Sequence, residues 1–352
     1  MFPLYANYAG LAPISKRAYL ASLGTFEVMG NIFLLEWLKK VNLLREKTAK
    51  YFGCKAEQVA FVPSTTIGLT IAANALDWKA GDKILFDEND YPANVLCWKK
   101  LERFGVELDN IHDLDDKKLS TAKMLVTSTV DYQTGIERQW QEQVRLANKA
   151  GLYTCVDAIQ SAGIKKAWIP EIDFWCAGVQ KWMVSGLGLA VMILSEKVLE
   201  NLETNLPSWL GLNDIQDSFS GMKKTAQGWE FGWIASAPLA RFDANMDYFL
   251  KLGQEAITND LKEKRDLIHE HLLEMDFPVV SCPSNWSGIV SFKAGVEGAK
   301  RIVEHGYKEK IITAPRGDYV RISPHIFNSR SDIERICKWL SKVRNEMVIK
   351  GW

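Results

Sequence analysis

A lysine and an aspartate near the middle of the chain are the residues whose types and surroundings most invite a chemical role. Lys181 closes the apolar run Phe174-Trp-Cys-Ala-Gly-Val-Gln180 and is followed by Trp182 and Met183. Lysines are seldom buried without a partner. Where one is, desolvation disfavours the ammonium, lowers the pKa and leaves an amine able to form a Schiff base. The alternative is a surface lysine at a strand end, its stem along apolar neighbours and its head in water. Asp157 lies upstream, after the apolar run Leu152-Tyr-Thr-Cys-Val156, with Gln160 and Ser161-Ala-Gly163 beyond it. Ligands of open α/β sheets bind outside the carboxyl ends of the strands, which suits a carboxylate there. An aspartate in that position is equally able to cap a helix.

Two further segments could touch a ligand. Ser64-Thr65-Thr66 stands between the extended stretch Ala60-Phe-Val-Pro63 and a helical stretch from Ile67. Hydroxyls and free N–H groups at a helix N-terminus attract phosphate, although hydroxyl residues there are also ordinary caps. Tyr91 follows the apolar run Lys83-Ile-Leu-Phe86, where its ring could stack on a planar ligand or pack in the core. Gly186-x-Gly188 copies part of a dinucleotide fingerprint, but the third glycine is missing and the apolar run Leu189-Ala-Val-Met-Ile-Leu194 follows where a helix is needed. A nicotinamide site is rejected on that ground.

These residues need a scaffold, and alternating helical and extended segments over the first two-thirds supply one. Helices are expected over about Met29–Phe52 (closed by Gly53), Ile67–Leu76, Asn94–Phe104 and Gln139–Ala150, and strands at Ala60–Pro63, Lys83–Phe86, Met124–Thr127 and Leu152–Val156. Such alternation predicts a mostly parallel sheet with right-handed crossovers. The last third reads as one long helix, Ala244–Leu273, then strands at Gly288–Phe292, Lys310–Thr313 and Tyr319–Ser323 with helices at Glu297–His305 and Asp332–Val343, a small α+β unit. The expected division is a large domain over 15–244 and a small one from 1–14 and 245–352.

With 352 residues, 47% hydrophobic and 24% charged, the chain has apolar surface enough for two folded domains. Its 43 basic and 43 acidic residues cancel, which argues against a nucleic-acid binder. Lys39-Lys40, Lys99-Lys100 and Lys165-Lys166 read as solvated faces. Six scattered cysteines without a CxxC pair read as free thiols in a reducing compartment, with no zinc or other metal site expected. No secretory signal and no bilayer-length apolar stretch are seen, so a cytoplasmic protein without membrane contact is expected.

Thr65-Thr66 before a helix, Val156-Asp-Ala-Ile-Gln160-Ser161 and Gly178-Val-Gln-Lys181-Trp together resemble the pyridoxal-phosphate motifs of the class V aminotransferases, a branch of fold type I. Cysteine desulfurases, selenocysteine lyases, kynureninases and isopenicillin N epimerase-like proteins share it. Asn7-Tyr-Ala-Gly10 resembles the family's N-terminal segment and Asp90-Tyr-Pro-Ala-Asn-Val-Leu-Cys-Trp98 the segment of the ring-stacking residue. Val130-Asp-Tyr-Gln-Thr-Gly135 resembles the loop over the cofactor, and the stretch from Pro315 through Arg321 to Asn328 the C-terminal signature. The resemblance implies an α/β fold of type I with helices on both faces of the sheet and a small α+β C-terminal domain. It implies a Schiff base between Lys181 and pyridoxal 5'-phosphate, Asp157 on the pyridine nitrogen, Gln160 on the ring hydroxyl and Tyr91 on the ring face. Ser64, Thr65 and Thr66 fall at the phosphate, Gln180 beside the lysine is a further cofactor-binding candidate, and Arg321 falls on the carboxylate of an amino-acid substrate. Arg316 is a second candidate, for a side-chain carboxylate. A homodimer with the active site at the interface is implied as well.

Several positions depart from the family pattern. The segment Ile311–Val320 lacks the catalytic cysteine of desulfurases, Gln180 replaces their histidine, Gly178 a serine that binds phosphate, and Trp233 the threonine of a Gly-Thr pair that reaches the neighbouring subunit. Transamination is therefore the expected reaction. A lyase or an epimerase is the runner-up, and a non-catalytic binding protein the rival of another class.

Overall fold

Strands that are apolar on both sides need cover on both faces, and the arrangement of the chain provides it. The computed structural model describes residues 3–29 and 34–350. Its strands are β1 (Leu4–Tyr5), β2 (Val59–Val62), β3 (Lys83–Phe86), β4 (Glu107–Asn110), β5 (Met124–Ser128), β6 (Tyr153–Asp157), β7 (Phe174–Gly178), β8 (Ala190–Leu194), β9 (Val290–Lys293), β10 (Ile311–Ile312), β11 (Ala314–Arg316) and β12 (Tyr319–Ile322). The helices are α1 (Lys16–Met29), α2 (Leu34–Phe52), α3 (Thr65–Ala73), α4 (Ala93–Lys99), α5 (Asp116–Thr121), α6 (Trp140–Lys149), α7 (Glu196–Asn201), α8 (Ser236–Leu252), α9 (Gln254–Glu274), α10 (Val296–Lys308) and α11 (Arg330–Lys350).

Seven strands form one sheet in the order β2-β8-β7-β6-β5-β3-β4. β8 alone runs opposite to the other six strands, because the chain turns straight back after β7 where a parallel partner would need a crossover. Alternate residues of each strand feed opposite faces. Phe61, Val156, Trp175 and Val191 join a core with Leu44, Phe242 and Met246. Val62, Val126, Cys155 and Cys176 join another with Leu69 and Trp98. Helix α3 approaches unusually closely: a Cβ at Gly68 would lie 2.7 Å from Cys176 Sγ. That close approach seats the N-terminus of α3 at the carboxyl edge of the sheet.

A smaller antiparallel sheet, β11-β12-β9, packs on α9, α10 and α11 through Phe277, Phe292, Ile302, Ile322 and Trp339. The N-terminal β1 pairs in parallel with β10 of this unit.

The expected elements are present with adjusted limits, and four points differ. The single helix expected over Ala244–Leu273 is two, α8 and α9, broken at Gly253, whose φ of 78° no regular helix accepts. The strand expected over Lys310–Thr313 splits, because β10 pairs with β1 while β11 turns to pair with β12. Helix α1, the short helices α5 and α7, the two-residue β1 and the polar edge strand β4 were not foreseen. Lys165 is no solvated lysine: it pairs with Glu137 and lies 4.8 Å from the Trp286 ring centroid. The start of the helix expected from Met29 lies partly outside the described residues; α2 ends before Gly53 as expected. All six cysteines are free, with Cys155 and Cys176 buried and the other four partly exposed. Among the described residues no helix is long and apolar enough to cross a membrane.

Candidate active site

The carboxyl ends of β2, β3, β6 and β7 meet the β11–β12 hairpin around a cavity of about 260 Å³. Ser64, Thr65, Thr66, Tyr91, Asp157, Gln160, Gln180, Lys181, Arg316 and Arg321, every residue singled out from the sequence, line it.

Lys181 sits in the turn after β7 and is buried, so the surface alternative does not hold. The turn is held from outside. Asn245 of α8 donates to the carbonyls of Met183 (3.3 Å) and Val184 (3.1 Å) and to Ser185 Oγ (3.0 Å), and its own oxygen accepts from Ser15 Oγ at 2.9 Å. Val184 has a φ of 45°, a strained conformation for a β-branched residue that persists only where its surroundings impose it. The Lys181 amine forms no hydrogen bond or ion pair with any described residue and lies 5.6 Å from the centre of the Tyr91 ring. Burial, then the nearby Arg321, lower its pKa far below the lysine value of 10.5, with Asp157 opposing and Arg316 reinforcing.

Asp157, the last residue of β6, is 3% exposed. Its Oδ1 accepts the Ile159 N–H at 2.9 Å, so it does cap a turn. Burial raises its pKa above 3.8; the Ile159 N–H and Lys181 pull down, while the Asp90 charge pushes up. Gln160 is braced by its neighbours: Nε2 donates to the Ala9 carbonyl at 3.2 Å and Oε1 accepts from Trp182 Nε1 at 3.2 Å. One N–H of its amide is left over. Trp182 in turn lies against His325, whose Nε2 bonds the Trp182 carbonyl at 2.8 Å.

At the N-terminus of α3, Ser64 is the ordinary cap, its Oγ accepting from Ile67 N at 3.2 Å. Thr66 is exposed. Thr65 Oγ1 is buried without a partner, which is uncommon for a buried polar atom and asks for a ligand. Gln180 and Gly178 are linked: a Cβ at 178 would fall 2.1 Å from Gln180 Oε1. The glutamine amide therefore fills the space of any side chain at 178, and two departures from the family pattern become one exchange.

Tyr91 is 45% exposed at the cavity mouth, too exposed for a core residue, with the Tyr132 ring edge-on at 5.2 Å. Arg321 is 1% exposed. Its Nη1 donates to the Tyr132 carbonyl at 2.6 Å and Nη2 to Asn7 Oδ1 at 3.4 Å, while Nε has no partner. Sequence reasoning missed Asn245 and Asp90. Asp90 accepts from Tyr91 N (2.7 Å), Asn94 Nδ2 (3.1 Å) and Ser128 Oγ (2.5 Å), and so fixes the segment carrying Tyr91. Its position beside Tyr91 was the available signal; nothing in the sequence around Asn245 points to the lysine turn.

The family model for aminotransferase class-V matches residues 29–336. The chain belongs to the class V aminotransferase family. An uncharacterized aminotransferase, YcbU of Bacillus subtilis, is 22% identical over 309 residues, covering 85% of this chain and 82% of the relative. A probable cysteine desulfurase of Methanothermobacter thermautotrophicus is 21% identical over 342 residues, covering 88% and 85%. Among solved structures, a C-DES variant with glycine covalently linked to its PLP cofactor superposes with a TM-score of 0.87 at 16% identity, over 97% of this chain and 96% of that one. The fold is thus that of the type I pyridoxal-phosphate enzymes, and class V membership brings pyridoxal 5'-phosphate as the cofactor. The residues present fit it: an unpartnered buried hydroxyl at a helix N-terminus for a phosphate, a buried carboxylate for a pyridine nitrogen, and a desolvated amine for an aldehyde.

Proposed function

We propose that the chain is a pyridoxal-phosphate-dependent enzyme acting on an amino acid, and that its reaction is transamination. The observation carrying this reading is the convergence of Lys181, the buried Asp157 and Arg321 on one cavity. When bound, the cofactor supplies an electron sink for negative charge at the substrate α-carbon.

The chain's own residues do the rest. Lys181, its pKa lowered by burial, would hold the cofactor through its amine and would move the proton at the α-carbon. Asp157 would pair with the ring nitrogen and favour its protonated form. Gln160 would offer its spare N–H to the ring hydroxyl, and Tyr91 would cover one ring face. Thr65, Thr66, Ser64 and the first N–H groups of α3 hold the phosphate, helped by the helix dipole and the Gln180 amide. Arg321 grips the substrate α-carboxylate with its guanidinium fork.

Transamination is favoured over desulfuration because none of the cysteines lines the cavity, so no thiol is at hand to take sulfur from a substrate. We also read the chain as a homodimer closing its active site at the interface; the apolar rim of Leu11 (43% exposed) and Leu187 (61% exposed) around the mouth supports this.

Borohydride reduction with cofactor, followed by peptide mass spectrometry, should place the adduct on Lys181; an unmodified Lys181 sinks the proposal. A panel of amino acids with a 2-oxo acid acceptor should then yield a new amino acid. Ammonia, sulfide or alanine released without acceptor would make it a lyase, racemised substrate alone an epimerase. Light scattering in solution reads the dimer.

A further inference from the structure

Among the described residues that line the cavity, one acid, Asp157, answers three basic side chains, Lys181, Arg316 and Arg321. Neither arginine forms an ion pair with any described residue, and Arg316 is half-buried with a single recorded hydrogen bond, from Nη1 to its own neighbour's carbonyl at Pro315 (2.9 Å). The hairpin sets their relation. Ala314 stands opposite Arg321 and Arg316 opposite Tyr319, so Arg316 and Arg321 share a face as diagonal neighbours, roughly 7–8 Å apart along the backbone. Two like charges so placed repel, and both push the Lys181 pKa down. An arrangement that costs free energy in the empty site is repaid when anionic groups enter.

We propose that Arg316 binds a second carboxylate on the substrate, so that the enzyme takes acidic amino acids of the aspartate and glutamate class. This rests on the reading that Arg321 holds the α-carboxylate. The cofactor phosphate has its own cradle, the unpartnered Thr65 hydroxyl and the N-terminus of α3 at the carboxyl edge of the large sheet, whereas Arg316 shares the hairpin with Arg321. A carboxylate on each arginine satisfies both forks.

The test uses the full chain with cofactor added, and unreactive ligands, so that binding is read apart from turnover. Calorimetric titration compares glutarate with its monoamide, glutaramate. Glutarate should bind at least about tenfold tighter, a ratio expected for one charge-assisted contact. Arg316→Gln should collapse that ratio, and Arg316→Lys should keep part of it; circular dichroism checks that both fold. Equal affinity for the two ligands, no glutarate binding, or an unchanged ratio in Arg316→Gln overturns the proposal. So does an Arg316→Gln variant that weakens pyridoxal phosphate but not pyridoxal, since Arg316 would then serve the cofactor. Failure of the parent reading shows separately, as an unmodified Lys181 after borohydride treatment.

Discussion

Two buried aspartates, one ending β6 and one just ahead of its neighbour β7, stand at opposite ends of the same sheet, and they live differently. Asp173, just before β7, accepts from Ser195 Oγ (2.8 Å), Thr154 N (3.0 Å) and Lys197 Nζ (3.3 Å). Asp157, at the far end of β6, accepts one backbone N–H and faces a lysine that does not reach it. Burial raises the pKa of both. A saturated carboxylate is a rivet; an under-satisfied one, beside unpartnered basic groups, is a site prepared for a ligand. Within one molecule, the hydrogen-bond ledger separates structure from function where burial alone does not.

The strongest way to break that contrast is at the amine. Lys181→Ala should reduce amino-acid turnover by at least about 10³-fold and abolish the borohydride adduct, while far-UV circular dichroism stays native. Residual turnover within tenfold of the parent would mean another group does the chemistry.

Next come the aspartates themselves. Asp157→Asn should lower kcat by about 10²-fold with a stability change under about 1 kcal/mol. Asp173→Asn should cost about 1–3 kcal/mol in urea unfolding, because Lys197 loses its charged partner, and should leave kcat of the folded protein near the parent value. Interchanged outcomes would refute the assignment of roles.

A pH profile sharpens the comparison. The native Lys181 amine holds its proton less tightly than an ordinary lysine at 10.5, so below pH 10.5 the unfolded chain binds more protons and stability rises with pH. Lys181→Met should therefore stabilise the cofactor-free protein at neutral pH, on the order of 1 kcal/mol, with the gain fading as pH climbs from the native value towards 10.5 and absent above it. For Asp157 the sign is reversed: its native pKa lies above 3.8, so its contribution falls as pH climbs from 3.8 through the native value. A Lys181→Met gain independent of pH would point to packing in place of charge.

The smallest effect concerns the exchange at 178 and 180. Gln180→Ala should weaken cofactor binding roughly 3–10-fold, the worth of one hydrogen bond. Adding Gly178→Ser should recover part of it, because the hydroxyl enters the vacated space. Fluorescence titration of the cofactor decides; no change in Gln180→Ala removes the amide from the phosphate side.

Much of this was legible beforehand because local chemistry leaves local marks. A lysine after seven apolar-flanked residues, an aspartate closing an apolar strand and hydroxyls opening a helix are all written in short windows. The break at Gly253 was visible only as a glycine within a helical stretch, and the double identity of Lys310–Thr313 depends on β1, some three hundred residues away in sequence. Asn245 left no local pattern, since a polar side chain that braces a distant turn looks like any surface polar residue, and Asp90 was marked only by its place beside Tyr91.

The sequence by itself determined the apolar periods, hence a mostly parallel sheet, and the residue types able to handle an aldehyde, a phosphate and a carboxylate. Only the tertiary structure decided that these side chains share one cavity, that Lys181 is without a partner there, and that Arg316 stands on the same hairpin face as Arg321. Strand order and loop closure bring remote residues together through the packing of the whole chain, and proximity is what sets desolvation and the fields between charges.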